Sequence, residues 1–176
     1  MTPERQPIRL AELENERLRH LFHYWRERCP PDGRPMPRAA LDPIPLGPLL
    51  PYIMLIEVVS VGEAGSFPEL RFRLVGDEIE GRYGRSLKGT VLSETFPLVQ
   101  RSDTSHQWSE ILSDWTPKYR RGPMGFPNGR RFEAERLLLP LSQDEAPVAF
   151  LLGAIFYQPL ATDEVEPQTV AGDLEG

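Results

Sequence analysis

The first clear period in the chain lies between Leu10 and Cys29. Leu18, Leu21, Phe22, Trp25 and Cys29 recur at helical spacing, while Glu12, Glu14, Glu16, Arg17 and Arg19 fill much of the rest. Side chains three and four apart share one face of a helix, so the pattern predicts an amphipathic helix with a heavy aromatic end. Its apolar stripe must cover the sheet of this chain or of a partner. Leu18, Leu21, Phe22 and Trp25 are the candidate interface residues.

The next stretch reads CPPDGRPMPRAALDPIPLGPLLP. Proline at this density forbids a continuing α-helix or a central strand. It predicts an extended crossing segment with one short helical turn around Asp42–Leu46, capped by Asp42 with Pro43 in the first helical position. Tyr52–Val61 then reads as a strand, β-branched and apolar on both faces except at Glu57. After the turn at Gly62–Ser66, Leu70–Val75 alternates: Leu70, Phe72 and Leu74 face one way, Arg71 and Arg73 the other. Asp77 is the expected cap of a short helix that carries Ile79 and Tyr83 inward and ends at Gly84. Leu87–Pro97 is irregular. Ser102–Trp115 is a second amphipathic helix, capped by Ser102 or Asp103, with Trp108, Ile111, Leu112 and Trp115 as its stripe.

Three further strands are expected: a polar, edge-like Lys118–Met124; Arg130–Leu141, interrupted by Pro140; and Val148–Tyr157, apolar on both faces. Asn128-Gly129 supplies a turn. The last residues, ATDEVEPQTVAGDLEG, are acidic and without period, and read as a disordered tail. Two strands, helices and three strands make an α+β pattern, an antiparallel sheet with helices on one face. The expected division is 1–51 for the N-terminal helix and crossing segment, 52–159 for the core, and 160–176 for the tail.

Composition narrows the function. The chain has 176 residues, 40% of them hydrophobic and 26% charged, which is ordinary for one globular domain. A net charge of -6 argues against general affinity for nucleic acid or anionic membranes. Lys118, Arg120, Arg121, Arg130 and Arg131 form a local basic rim, read as a solvated edge that discourages strand pairing. The single cysteine, Cys29, excludes an internal disulfide and fits a reducing compartment. No export signal is visible, and the longest apolar stretch is about half of a membrane span. A cytoplasmic location is expected.

The local words are familiar in order. Leu21-Phe22-His23-Tyr24-Trp25 is followed by Gly33-Arg34-Pro35-Met36-Pro37, Leu41-Asp42-Pro43 and Leu49-Leu50-Pro51. Phe72-Arg73-Leu74-Val75-Gly76 and Glu135-Arg136-Leu137-Leu138-Leu139-Pro140-Leu141 come later. From Leu18 to Tyr157 the chain resembles a bacterial family of stand-alone PAS-like proteins, long carried as a domain of unknown function. The resemblance implies a PAS-like five-stranded antiparallel sheet and a sensory or interaction role. It implies no ligand and no catalytic residues. PAS domains often pair near the N-terminal helix, so a homodimer is expected. No kinase, cyclase or DNA-binding segment accompanies the core, so output is expected through a protein partner.

The usual catalytic signatures are missing: there is no CxxC, HExxH, GxSxG or P-loop. The expectation is a module that is not an enzyme. His20 and His23 lie three apart on the first helix without a third ligand at metal-site spacing. No cofactor is expected, with haem through His106 as the alternative. Cys29 lies outside the core, which argues against flavin photochemistry there. If the sheet and helices enclose a small-molecule pocket, parity selects Phe72, Leu74, Phe132, Arg136 and Leu152 from the strands. From the helical segments it selects Tyr83, Phe96, His106, Trp108 and Trp115. Arg136 is the odd one. It shares parity with Phe132, Ala134 and Leu138 and should point inward, where a guanidinium needs an anion. That anion is either an internal acid such as Asp77 or Glu78, or the acid group of a ligand. The competing expectation is an interaction module with a filled core and no ligand.

Overall fold

The structure, a computed structural model, describes residues 12–63, 67–95 and 107–160. Phe96, Ser102, Asp103, His106 and the acidic tail lie outside the described residues.

The first helix, α1, spans Glu16–Arg26, shorter than the sequence pattern. Asn15 sets its start, its side chain accepting from the Arg17 N–H at 2.9 Å. The two-residue strand β1 (Met36–Pro37) follows, then a 3-10 segment over Ile44–Tyr52. Asp42 opens that segment, accepting from the Ile44 N–H at 2.9 Å. The helical run is longer than the single turn expected. Pro45, Pro48 and Pro51 recur every third residue, the period of a 3-10 helix, so the missing N–H groups fall along one side. Leu46 and Leu49 share the same spacing and are buried.

Five longer strands follow: β2 (Ile53–Ser60), β3 (Glu69–Val75), β4 (Lys118–Gly125), β5 (Arg131–Gln143) and β6 (Ala146–Pro159). Between β3 and β4 lie α2 (Asp77–Tyr83), α3 (Leu92–Thr95) and α4, residues 107–114. The long strands form an antiparallel sheet in the order β3-β2-β6-β5-β4. This is the α+β, PAS-like arrangement. A sixth strand joins it: β1 pairs parallel with the far end of β5, Met36 opposite Leu141.

β5 runs straight through Pro140, which was expected to interrupt it. β4 pairs with β5 as far as Leu138, and β1 begins at Leu141. Pro140 falls in the gap between them. A strand residue's N–H and C=O point to the same edge, so no strand needs the N–H that proline lacks. Its carbonyl accepts instead from Trp25 Nε1 at 2.8 Å.

Each face of the sheet has its own core. On one, Leu18, Leu21, Phe22 and Trp25 of α1 pack on Ile53, Leu55, Leu137, Leu139, Leu152 and Phe156. These four α1 side chains are therefore buried within the chain itself. On the other face, α2, α3 and α4 bring Ile79, Leu92, Trp108 and Ile111 onto Met54, Ile56, Phe72, Leu138 and Ile155. β2 and β6 are apolar on both sides because both sides are covered.

Three local expectations are corrected. Gly76, not Asp77, is the cap residue of α2, and Asp77 is its first helical residue. Leu74 leaves the face of Leu70 and Phe72. Leu55 pairs with Leu74 and Ile56 with Phe72, so Arg73 is the extra residue of a bulge that reverses the alternation. Leu74 ends 44% exposed on the α1 side. Leu152 also belongs to the α1 face, because β6 offers no polar residue to mark its parity.

Gly76 joins β3 to α2 where the chain passes Leu50-Pro51. A Cβ there would lie 2.2 Å from the Pro51 carbonyl oxygen, a backbone atom that cannot swing aside. At Gly153 the obstacle is the tip of Met54, 2.7 Å away, which can move. Gly76→Ala is expected to cost at least the ~1–3 kcal/mol of an overpacked core. Gly153→Ala is expected to cost clearly less, and denaturant unfolding of the two variants checks the order.

Candidate ligand pocket

The face opposite α1 is built by alternation. Met54 and Ile56 of β2, Phe72 of β3, Leu138 of β5 and Ile155 of β6 point toward α3 and α4. Arg136 points the same way between Ala134 and Leu138, as its parity requires. Trp108 of α4 and Leu92 of α3 cover them. The space enclosed is small, about 20 Å³, bordered also by Gln107, Lys118, Met124 and Arg136. That is room for about one water molecule or a group of similar size.

Its polar lining is unusual. Arg136 keeps some exposure, yet its Nε is fully buried without a hydrogen-bond partner. Trp108 Nε1 and the Tyr157 hydroxyl on the same face are also buried and unpartnered. Burial pulls the Arg136 guanidinium below its usual pKa, and Arg120, directly opposite on β4, adds to this, while Tyr157 and Tyr83 act the other way. No carboxylate among the described residues offsets it. Glu78, an expected partner, lies instead 3.8 Å from Arg82. Asp77 and Glu78 border a separate surface depression with Arg82 and Arg130.

Lys118, at the edge of the cavity, is held from outside it. Its Nζ donates to Asp114 at 2.6 Å and lies 3.5 Å from Glu110. Burial pushes the Asp114 carboxyl up, but hydrogen bonds from Lys118 and Thr116 outweigh it and hold the group below the usual range.

An aromatic cluster closes one end of this face. Phe126 meets Tyr83, Phe132 and Tyr157 edge-on at 5.2, 5.8 and 5.5 Å. Arg82 lies over Phe132 and Tyr157 at 4.5 and 4.3 Å.

Of the sequence candidates, Phe72, Trp108 and Arg136 border the cavity. Tyr83 and Phe132 stand in the aromatic cluster beside it. Trp115 is turned away: the helix ends there in a left-handed residue, φ 59°, two places before Pro117, and the ring is 39% exposed. Leu74 and Leu152 lie across the sheet. Sequence reasoning missed Lys118, Met54, Ile56 and Leu138. The register of β2 against β6, which no single strand displays, decides which apolar residues face the cavity. Cys29 packs on the α1 side, where burial raises its thiol pKa, so the sheet stands between it and the cavity. Among the described residues no cluster of histidine, cysteine and carboxylate groups is placed to hold a metal, and no helix is long and apolar enough to cross a membrane.

A sheet closed on one face by α1 and on the other by short helices over a small polar-edged cavity defines a PAS-type domain. The family model described as PAS domain matches residues 13–156. The chain belongs to the PAS domain family, a family of sensory modules. No curated protein matches it in sequence. Among solved structures it is similar to a LOV protein of Rhodobacter sphaeroides, with 13% identity and a TM-score of 0.48 over 63% of this chain and 61% of that one. It is also similar to a LOV domain of the Erythrobacter litoralis EL346 blue-light activated histidine kinase, with 12% identity and a TM-score of 0.42 over 62% and 98%. An RNA-binding Light-Oxygen-Voltage receptor is 16% identical, with a TM-score of 0.47 over 73% and 36%. The chain thus spans about three fifths of the length of the Rhodobacter protein. At these scores the likeness says nothing about ligand or output.

Burial pushes Tyr83 up to about 12 and Tyr157 higher still. An unfolded phenol ionises near ~10. The stability these two carry is therefore complete below about pH 10 and is lost as pH climbs through their folded values. Burial and the neighbouring Glu135 push Tyr119 up to about 12 as well. Ultraviolet titration should show three tyrosines ionising only in the course of alkaline unfolding, and Tyr83→Phe should reduce their number by one.

Proposed function

We propose that this chain is a sensory module that binds a small ligand between its sheet and α4 and reports the bound state to a protein partner. The observation that carries this reading is the buried, unpartnered Arg136 Nε at a cavity whose walls are otherwise mostly apolar, with Gln107 and Lys118 at its border. A polar group without a partner in such a place is costly unless something fills it, and binding sites combine apolar walls with a few such groups. Binding would have to favour one arrangement of α4 over another for a signal to leave the domain.

One observation favours the filled-core interaction module: the cavity of about 20 Å³ is far below the several hundred that a drug-sized ligand occupies. Under the sensory reading, a ligand larger than its own polar head must therefore lift α4. A homodimer, if formed, would need a surface other than the α1 stripe, and exposed Ile44, Leu50 and Leu74 supply apolar area for a second subunit or another partner.

A thermal-shift screen of metabolites, with mass spectrometry for anything carried through purification, separates the two. A ligand at one hundred times its Kd should stabilise by about 2.7 kcal/mol, a rise in Tm of roughly 5–10 °C for a chain of this size. A screen without a concentration-dependent shift would leave the interaction module as the function.

A further inference from the structure

We propose that the cavity beside α4 reads an acid: Arg136 receives the carboxylate, or an equivalent small oxyanion, of the ligand, with Trp108 as a further donor. The assignment rests on the sensory reading and names the class of its ligand.

The unmet hydrogen bonds at the cavity share one sign. Arg136 Nε and Trp108 Nε1 are both buried and unpartnered, and both can only donate. A guest that completes this set must present acceptors. A carboxylate presents acceptors alone, on two oxygens, and matches a guanidinium in shape and charge. A neutral amide offers one acceptor and brings donors of its own.

Charge points the same way. Arg120 stands directly across the ladder from Arg136, and like charges in that relation repel. Among the described residues, Asp114 and Glu110 are engaged with Lys118 on the outer side, and Glu78 with Arg82. Each tyrosine near Arg136 stays a neutral phenol, because burial holds its pKa far up. A guanidinium whose Nε is buried and unpartnered calls for an acceptor, and an anion from solution matches its charge best.

Size narrows the guest. About 20 Å³ holds no more than a water-sized group and excludes a whole metabolite. An acid should therefore enter as α4 gives way, by little for the smallest acids and by more for larger ones.

The test compares formate and acetate with formamide and acetamide on the full-length protein, by thermal shift and titration calorimetry, each acid replacing chloride at fixed ionic strength. Formate and acetate should raise Tm with concentration, and the amides should not. Arg136→Met, which keeps the stem and removes the charge, should weaken acetate at least tenfold and should unfold no earlier than the wild type without ligand. Trp108→Phe keeps a ring in place and removes a donor. It should weaken acetate several-fold, so the assignment stays testable if the Arg136 variant does not fold. An acetate response that survives both changes, or equal responses to acetate and acetamide, would overturn the acid assignment. If a neutral metabolite from the screen binds while acetate does not, ligand sensing stands and the acid assignment falls. If nothing binds, both fall.

Discussion

One strand, β5, has to satisfy two cores at once, and most of the structure follows from how it does so. Leu137, Leu139 and Leu141 lie under α1, while Ala134 and Leu138 lie under the opposite helices. Along its edge it serves β4 first and β1 last. Pro140 sits where neither needs a donor, and its free carbonyl is taken by Trp25. α1 is thereby tied to the centre of the sheet by an aromatic hydrogen bond as well as by its leucines. The same alternation forces Arg136 toward the cavity, since moving it to the other face would drive three leucines out of the first core.

The sheet was largely legible in the sequence, because period and punctuation agree there. Alternation in Leu70–Phe72, the apolar runs on either side of Glu57, and the glycines at 76, 84 and 129 mark elements whose physics is local. The matching words of the PAS family set the order. The destination of α1 was half legible. A stripe of Leu18, Leu21, Phe22 and Trp25 demands a cover, but nothing in the stripe says whether the cover is the same chain.

The candidate site was less legible, for physical reasons that can be named. Arg136 was visible because a charge in an alternating apolar strand is conspicuous. Leu74 was misplaced because a bulge at Arg73 depends on how β3 meets β2, a property of two strands. Leu152 was misplaced because a strand buried on both sides carries no polar marker. Lys118 was missed because its role depends on where α4 ends, and Trp115 because a left-handed residue turned it outward. The expected acid beside Arg136 was a reasonable demand of electrostatics. The described residues leave that demand unmet, which turns an internal question about stability into an external one about a ligand.

Arg136 holds a buried, unpartnered Nε–H toward the cavity, and that Nε–H reports most directly on an anion arriving there. Nitrogen–proton NMR of the guanidinium groups should show the Arg136 Nε–H exchanging slowly with solvent, as burial requires, and moving progressively as acetate is added. An Nε–H that exchanges as fast as those of surface arginines, or one that stays still at saturating acetate, would contradict the account.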